Sequence, residues 1–279
     1  MDAAASLASG KGHKDENFPV ASVLLRPAHR APIMHFYRFA RAADDIADHA
    51  TASPEEKLRQ LDAMRAGLSG EGTAEAAALG RVMRERGLDP VHAHELLDAF
   101  VRDVTVRRYA TWDDLIGYCR LSAMPVGRFV LDVHGEDRAT WPASDALCAA
   151  LQVINHLQDC GKDYRALDRV YIPAETLAAT GGRIEDLGGD RATPGLRAAI
   201  VALAGRTRDL LRESAPFAHM IRDTRLALEV AIIQGLAERL DARLIARDPL
   251  GQRVHHGKAE TALFAFMAVA GHFLGRKRG

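Results

Sequence analysis

Neither sign of charge is in excess in this chain. Thirty-seven Lys and Arg residues balance 37 Asp and Glu across 279 residues. With no net field, no basic block and no RNA motif, nothing directs it to nucleic acid. Cysteine is scarce. Cys119, Cys148 and Cys160 are odd in number and match no zinc spacing, which argues against a disulfide framework and for a reducing cytoplasm. They read as small buried helix residues. Aromatics make up only 6%. Alternating strand patterns are missing, apart from a scrap at Arg169-Val170-Tyr171-Ile172-Pro173 that Pro173 ends. The Gly-x-Gly-x-x-Gly fingerprint is also missing, an absence that by itself decides little. The N-terminus does not read as a signal peptide, and no apolar run is long enough to span a membrane. The nearest runs from Thr261 to Gly275, before Arg276-Lys277-Arg278. It reads as a buried C-terminal helix, the alternative being one that lies on a bilayer surface.

What the chain has in abundance is Ala and Leu, with apolar residues recurring three and four apart. This spacing predicts helices over 27–49, 54–68, 74–87, 91–106, 112–135, 143–166, 195–215, 223–247 and 258–274. Pro27 and Pro32 suit a helix start. Ser53-Pro54-Glu55-Glu56 and Thr111-Trp112-Asp113-Asp114 read as N-caps followed by acidic first turns. Glycines at 181–182 and 188–189 mark an irregular connection over about 178–194. No repeat and no Gly, Ser or Pro-rich linker divides the chain. A single all-α domain over 1–279, with its core at about 13–255, is the expected organisation.

Two runs carry the chemistry: Arg41-Ala-Ala-Asp44-Asp45-Ile-Ala-Asp48 and Gln152-Val-Ile-Asn155-His156-Leu-Gln158-Asp159-Cys-Gly-Lys-Asp163. Each holds aspartates four apart, which share one helix face and can reach a common cation. On the first helix, Tyr37, Arg41, Asp44 and Asp48 fall within about 60° of one another, and Asp45 points away. On the second, Gln152, Asn155, His156, Asp159 and Asp163 fall within about 100°. Apolar residues fill much of the remaining surface of both helices. A polar stripe enclosed this way is costly unless it meets partners, and a metal with an anionic substrate supplies them. All-oxygen ligands suit Mg²⁺, which binds through a few carboxylates plus phosphate oxygens, whereas zinc would ask for more His or Cys. Arg41 and Arg169 are natural additional phosphate contacts.

A third segment runs from Tyr118 through Ser122 and Pro125 to Phe129, with these four on one face. Pro125 implies a kink and Gly127 a close approach, leaving room for a hydrocarbon chain. The ring of Tyr118 could stabilise a carbocation. A lone aspartate pair is common on solvated helices, Tyr118 could be an ordinary core tyrosine, and His156 a satisfied core histidine. It is the two pairs together, each with aligned polar neighbours, that favour function.

With those residues in view, the chain resembles the squalene and phytoene synthase family, the head-to-head trans-isoprenyl synthases. Three stretches carry the likeness: Phe36 to Asp48, Tyr118 to Gly127, and Gln152 to Pro173. Gly12 to Ser22 and the Asn155-His156-Leu157-Gln158 lead into Asp159 place it nearest the hopanoid branch of the family. The resemblance implies an isoprenoid synthase helical bundle around a central cavity. Asp44, Asp48, Asp159 and Asp163 would be its Mg²⁺ ligands. Tyr37, Arg41, Ser122, Phe129, Gln152, Arg169 and Tyr171 would bind substrate, and Tyr118, Asn155 and His156 would serve catalysis. The substrate implied is presqualene diphosphate, taken with water to hydroxysqualene. Condensation of two prenyl diphosphates is the alternative, and a non-enzymatic assembly factor of the same fold a minor one. A companion enzyme making presqualene diphosphate is the expected functional partner. The expected location is the cytoplasm, with a peripheral contact at the inner membrane surface. Lys162 stands where relatives often carry an acid and Gln158 where they carry an arginine. No tyrosine lies in 223–247, where relatives often place one.

Overall fold

The computed structural model describes residues 25–256. The Gly12–Ser22 stretch and the expected helix over 258–274 lie outside them. The described residues are helical, with one isolated parallel bridge between Arg108 and Val170. None of their helices is long and apolar enough to cross a membrane. By internal packing the chain divides into two compact units. Among the described residues, one comprises 25–106 with Arg120–Glu136, and the other comprises Arg107–Cys119 with 137–256.

The first unit contains α1 (Pro27–Ala47), α2 (Pro54–Gly67), α3 (Ala74–Arg86), α4 (Val91–Thr105) and α6 (Met124–His134). Pro27 opens α1 as expected, and Ser53 caps α2 by accepting from the Glu56 amide at 3.3 Å. Helix α1 packs on α3, α4 and α6, burying Ile33, Phe36, Phe39 and Ile46. His92, 2% exposed on α4, ties that helix to α6 through Nε2 and Asp132 Oδ2 at 3.1 Å.

The single kinked helix expected over 112–135 is two helices. Helix α5 (Trp112–Ser122) ends, and α6 begins after Ala123, whose φ and ψ are −122° and −47°. Pro125 lacks an amide hydrogen and crowds the preceding turn, so it sits in the first turn of a new helix rather than inside an old one. The expected cap of α5 is present: the Asp114 amide donates to Thr111 Oγ1, and the Thr111 amide to Asp114 Oδ2.

The second unit is built on α7 (Trp141–Leu167), which packs against α9 (Pro194–Ser214) and α11 (Thr224–Ala246). Two short helices, α8 (Ala174–Thr180) and α10 (Phe217–Met220), fall in stretches read as irregular or unassigned. They are too short to show a helical period in the sequence. Helix α8 meets the start of α9 at Gly195, where an added Cβ would lie 2.5 Å from the Gly181 backbone. Because backbone cannot swing aside as a side chain can, Gly195→Ala is expected to destabilise this unit by about 2 kcal/mol. A urea midpoint unchanged from the parent would show that this junction yields freely.

Candidate active site

On α1, Arg41 lies part-buried beside the first acidic group. Its Nη1 is 2.6 Å from Asp44 Oδ2, and its Nη2 is 3.1 Å from Asp45 Oδ1. Asp45 therefore does not point away as expected. A forked guanidinium reaches residues three and four ahead at once, because both lie above it on the same side of a helix. Asp48 is the C-cap residue of α1, with its amide bonded to the Asp44 carbonyl at 2.9 Å. Tyr37, Asp44 and Asp48 are all half-buried.

The second acidic pair lies in the C-terminal half of α7. The Asp159 side chain is 39% exposed, with Lys162 Nζ at 3.6 Å and His255 Nε2 at 3.8 Å. Asp163 is half-buried, and its carbonyl accepts from the Arg169 amide at 3.3 Å. That bond closes the end of α7, where Asp168 adopts a left-handed φ of 51° and is clasped by Arg107 and Arg108. Arg169, which follows the turn, is buried.

One turn earlier on α7, the expected residues gather around rings. His156 stacks on Tyr171, with ring centroids 3.5 Å apart and planes 12° from parallel. Tyr118 of α5 lies 5.8 Å from His156 and 5.6 Å from Tyr171. A fourth ring, Tyr109, completes the cluster at 5.5 Å from Tyr118 and 5.7 Å from Tyr171. The sequence reading missed Tyr109. Its signal was faint: Arg108-Tyr109 parallels Val170-Tyr171, and the parallel bridge between Arg108 and Val170 sets the two tyrosines side by side.

Gln152 reaches His156 from one turn away, with its Nε2 3.1 Å from the imidazole Nε2. With the amide donating, that ring nitrogen accepts and the ring proton stays on Nδ1. Burial pushes the His156 pKa down to about 3, and the nearby charge of Arg169 adds to the effect. The ring is therefore neutral at any working pH. The unfolded chain takes up this proton near pH 6.5 and the folded one only near 3, so protonation favours unfolding between those values. Stability is expected to fall as pH drops through that window, by up to about 1.4 kcal/mol per pH unit. Denaturant unfolding at pH 7 and pH 5 checks this, since His156→Phe should lose the component due to this group.

Of the remaining expected residues, Asn155 is half-buried on α7 between Gln152 and Asp159. Phe129 is 1% exposed in the first unit, stacked on Phe36 with centroids 4.2 Å apart. Ser122 belongs to the same unit, and its buried Oγ has no hydrogen-bond partner among the described residues. The Cys119 and Cys160 thiols are buried, and desolvation pushes both pKa values up to about 12, which leaves them unreactive. Cys148 is half-buried.

Helix α1 thus carries aspartates four apart beside Arg41, and α7, in the other unit, carries a second such pair about one turn from the aromatic cluster. The chain belongs to the squalene/phytoene synthase family, whose model matches residues 11–260. The family uses prenyl diphosphates, generally with a divalent metal. The hydroxysqualene synthase of Zymomonas mobilis is 55% identical over 96% of this chain and 92% of its own length. That of Rhodopseudomonas palustris is 52% identical over 100% of this chain and 96% of its own. Among solved structures, squalene synthase HpnC from Alicyclobacillus acidocaldarius aligns with a TM-score of 0.72 at 31% identity, covering 86% of this chain and 90% of that one. A dehydrosqualene synthase, at a TM-score of 0.80 and 20% identity, shares the all-α fold.

Proposed function

We propose that this chain converts presqualene diphosphate and water to hydroxysqualene and diphosphate. The observation that carries the reading is the 51–55% identity, over 92% or more of the chain, to three proteins named hydroxysqualene synthase. The ring cluster around His156 supports it.

Asp44, Asp48, Asp159 and Asp163 are proposed to hold Mg²⁺. They offer hard oxygen donors, and the 36% and 39% exposure of the Asp44 and Asp159 side chains leaves room for an ion that keeps several waters. Bound there, Mg²⁺ supplies the positive charge that lets diphosphate leave. Arg41 adds a guanidinium for phosphate oxygens, as its fork suits. The rings of Tyr118, Tyr171 and Tyr109 offer electron-rich faces that favour a cationic hydrocarbon. A protonated histidine among them would repel that cation. His156 does not, because burial keeps it neutral.

Water capture forms a carbon–oxygen bond and releases one proton. In this proposal His156 and Asn155 orient the water through hydrogen bonds, and Gln152 fixes the imidazole tautomer. An imidazole with a pKa near 3 is a poor proton acceptor, so the proton leaves with diphosphate, whose oxygens are more basic. The chemistry calls for no nicotinamide, because water rather than hydride ends the cation. The hydrocarbon nature of substrate and product also favours peripheral contact with the inner membrane surface, and a partner enzyme that delivers presqualene diphosphate.

Purified protein with Mg²⁺, given presqualene diphosphate and farnesyl diphosphate in separate incubations, tests the reading. Hydroxysqualene from the first and no turnover of the second is the expected pair of results. Turnover of farnesyl diphosphate alone would instead favour the coupling reaction.

A further inference from the structure

The main chain after α11 is fastened at successive residues, to α11 and, at one point, to α7. Arg247 Nη1 donates to the Arg253 carbonyl at 3.1 Å. Gln158 Nε2, on α7, donates to the Val254 carbonyl at 3.5 Å, and the Val254 side chain is itself buried. Arg243 Nη1 donates to the His255 carbonyl at 2.9 Å, and His256 Nε2 to the Leu236 carbonyl at 3.0 Å. From this stretch the His255 side chain reaches Asp159, its Nε2 lying 3.8 Å from Oδ1. That distance is too long for a direct hydrogen bond but suits an ionic contact or a bridging water. On the other oxygen, Oδ2, Asp159 meets Lys162 at 3.6 Å.

We propose that His255 is a positioning residue for Asp159, and that Gln158 acts by holding the segment that presents it. The inference rests on the reading of Asp159 as a metal ligand. A carboxylate on a partly exposed helix face has free rotation about its side chain. Fixing one oxygen from outside the helix aims it and lowers the entropy lost when a cation binds. Partners of this kind, one bond removed from the metal, typically alter metal affinity 10–100-fold. Gln158 gains a specific purpose in this arrangement. It sits one residue before Asp159 on α7, 5% exposed, and its amide spans to the returning chain. The segment after α11 thus brings an imidazole nitrogen to Asp159.

The test is Mn²⁺ binding to the substrate-free full-length chain, followed by electron paramagnetic resonance. Asp159→Asn identifies the site by abolishing its signal. His255→Ala is expected to weaken that same site about 10–100-fold, with His255→Gln restoring part of it because an amide donor has similar reach. Gln158→Ala should weaken it too, and the double variant Gln158→Ala/His255→Ala should be no weaker than His255→Ala alone, since both act through one contact. His255 is 36% exposed in its side chain, so His255→Ala leaves the fold intact and carries the test if Gln158→Ala fails to fold. Unchanged Mn²⁺ affinity in His255→Ala, at a site that Asp159→Asn abolishes, would overturn the positioning role. An unchanged signal in Asp159→Asn would overturn the metal reading and this inference with it.

Discussion

Asp159→Asn is expected to lower the release of diphosphate from presqualene diphosphate by about a thousandfold, with an unchanged melting temperature. The two halves of that result have separate causes. A bound divalent metal lowers the barrier to losing an anionic leaving group by several kcal/mol. About 4 kcal/mol corresponds to roughly a thousandfold in rate. Asn keeps the shape of the side chain but brings no charge. The fold should not notice, because the Asp159 side chain is 39% exposed and its contacts to Lys162 and His255 are long, at 3.6 and 3.8 Å. Asp44→Asn should show the same loss of activity. It should also cost up to about 1 kcal/mol of stability, because Asp44 is a 2.6 Å partner of Arg41. A rate within tenfold of the parent in either variant would remove that aspartate from the metal set.

His156→Phe is expected to separate ionisation from water capture. Phenylalanine retains a planar ring to stack on Tyr171 at 3.5 Å, so the cluster with Tyr118 and Tyr109 should persist. What disappears is the nitrogen that accepts from Gln152 and, with it, the hydrogen bond proposed to orient the water. Diphosphate release should therefore stay within about tenfold of the parent, while the ratio of hydroxysqualene to hydrocarbon products falls by about tenfold or more, the size expected for losing one positioned polar group. Product analysis by gas chromatography reads the ratio, and a phosphate-release assay reads the ionisation. An unchanged ratio would assign His156 to packing alone. The water would then be oriented by Asn155 or another group.

How far these features could be read from the sequence varied with how local their causes were. Helices α1 and α7 were legible because each repeats an apolar pattern over twenty residues or more, and their aspartates follow from the 3.6-residue period. The break between α5 and α6 was half legible. Pro125 signalled a disturbance, but whether a proline bends a helix or starts a new one depends on the turn before it. The ring cluster was legible only in part. Tyr118, His156 and Tyr171 lay in noticeable motifs, whereas Tyr109 joins them through a one-residue bridge between distant segments. The link from Gln158 to Val254 spans 96 residues and leaves no periodic trace. Asp45 was misplaced because angular reasoning about a bare helix ignores a long, forked neighbour such as Arg41.

The most direct measurement is product formation from presqualene diphosphate and Mg²⁺ in oxygen-18 water. Capture of the carbocation by solvent predicts hydroxysqualene with one heavy oxygen at its hydroxyl, while diphosphate released by carbon–oxygen cleavage carries none. Squalene as the sole product, or an alcohol whose oxygen is unlabelled, would contradict it.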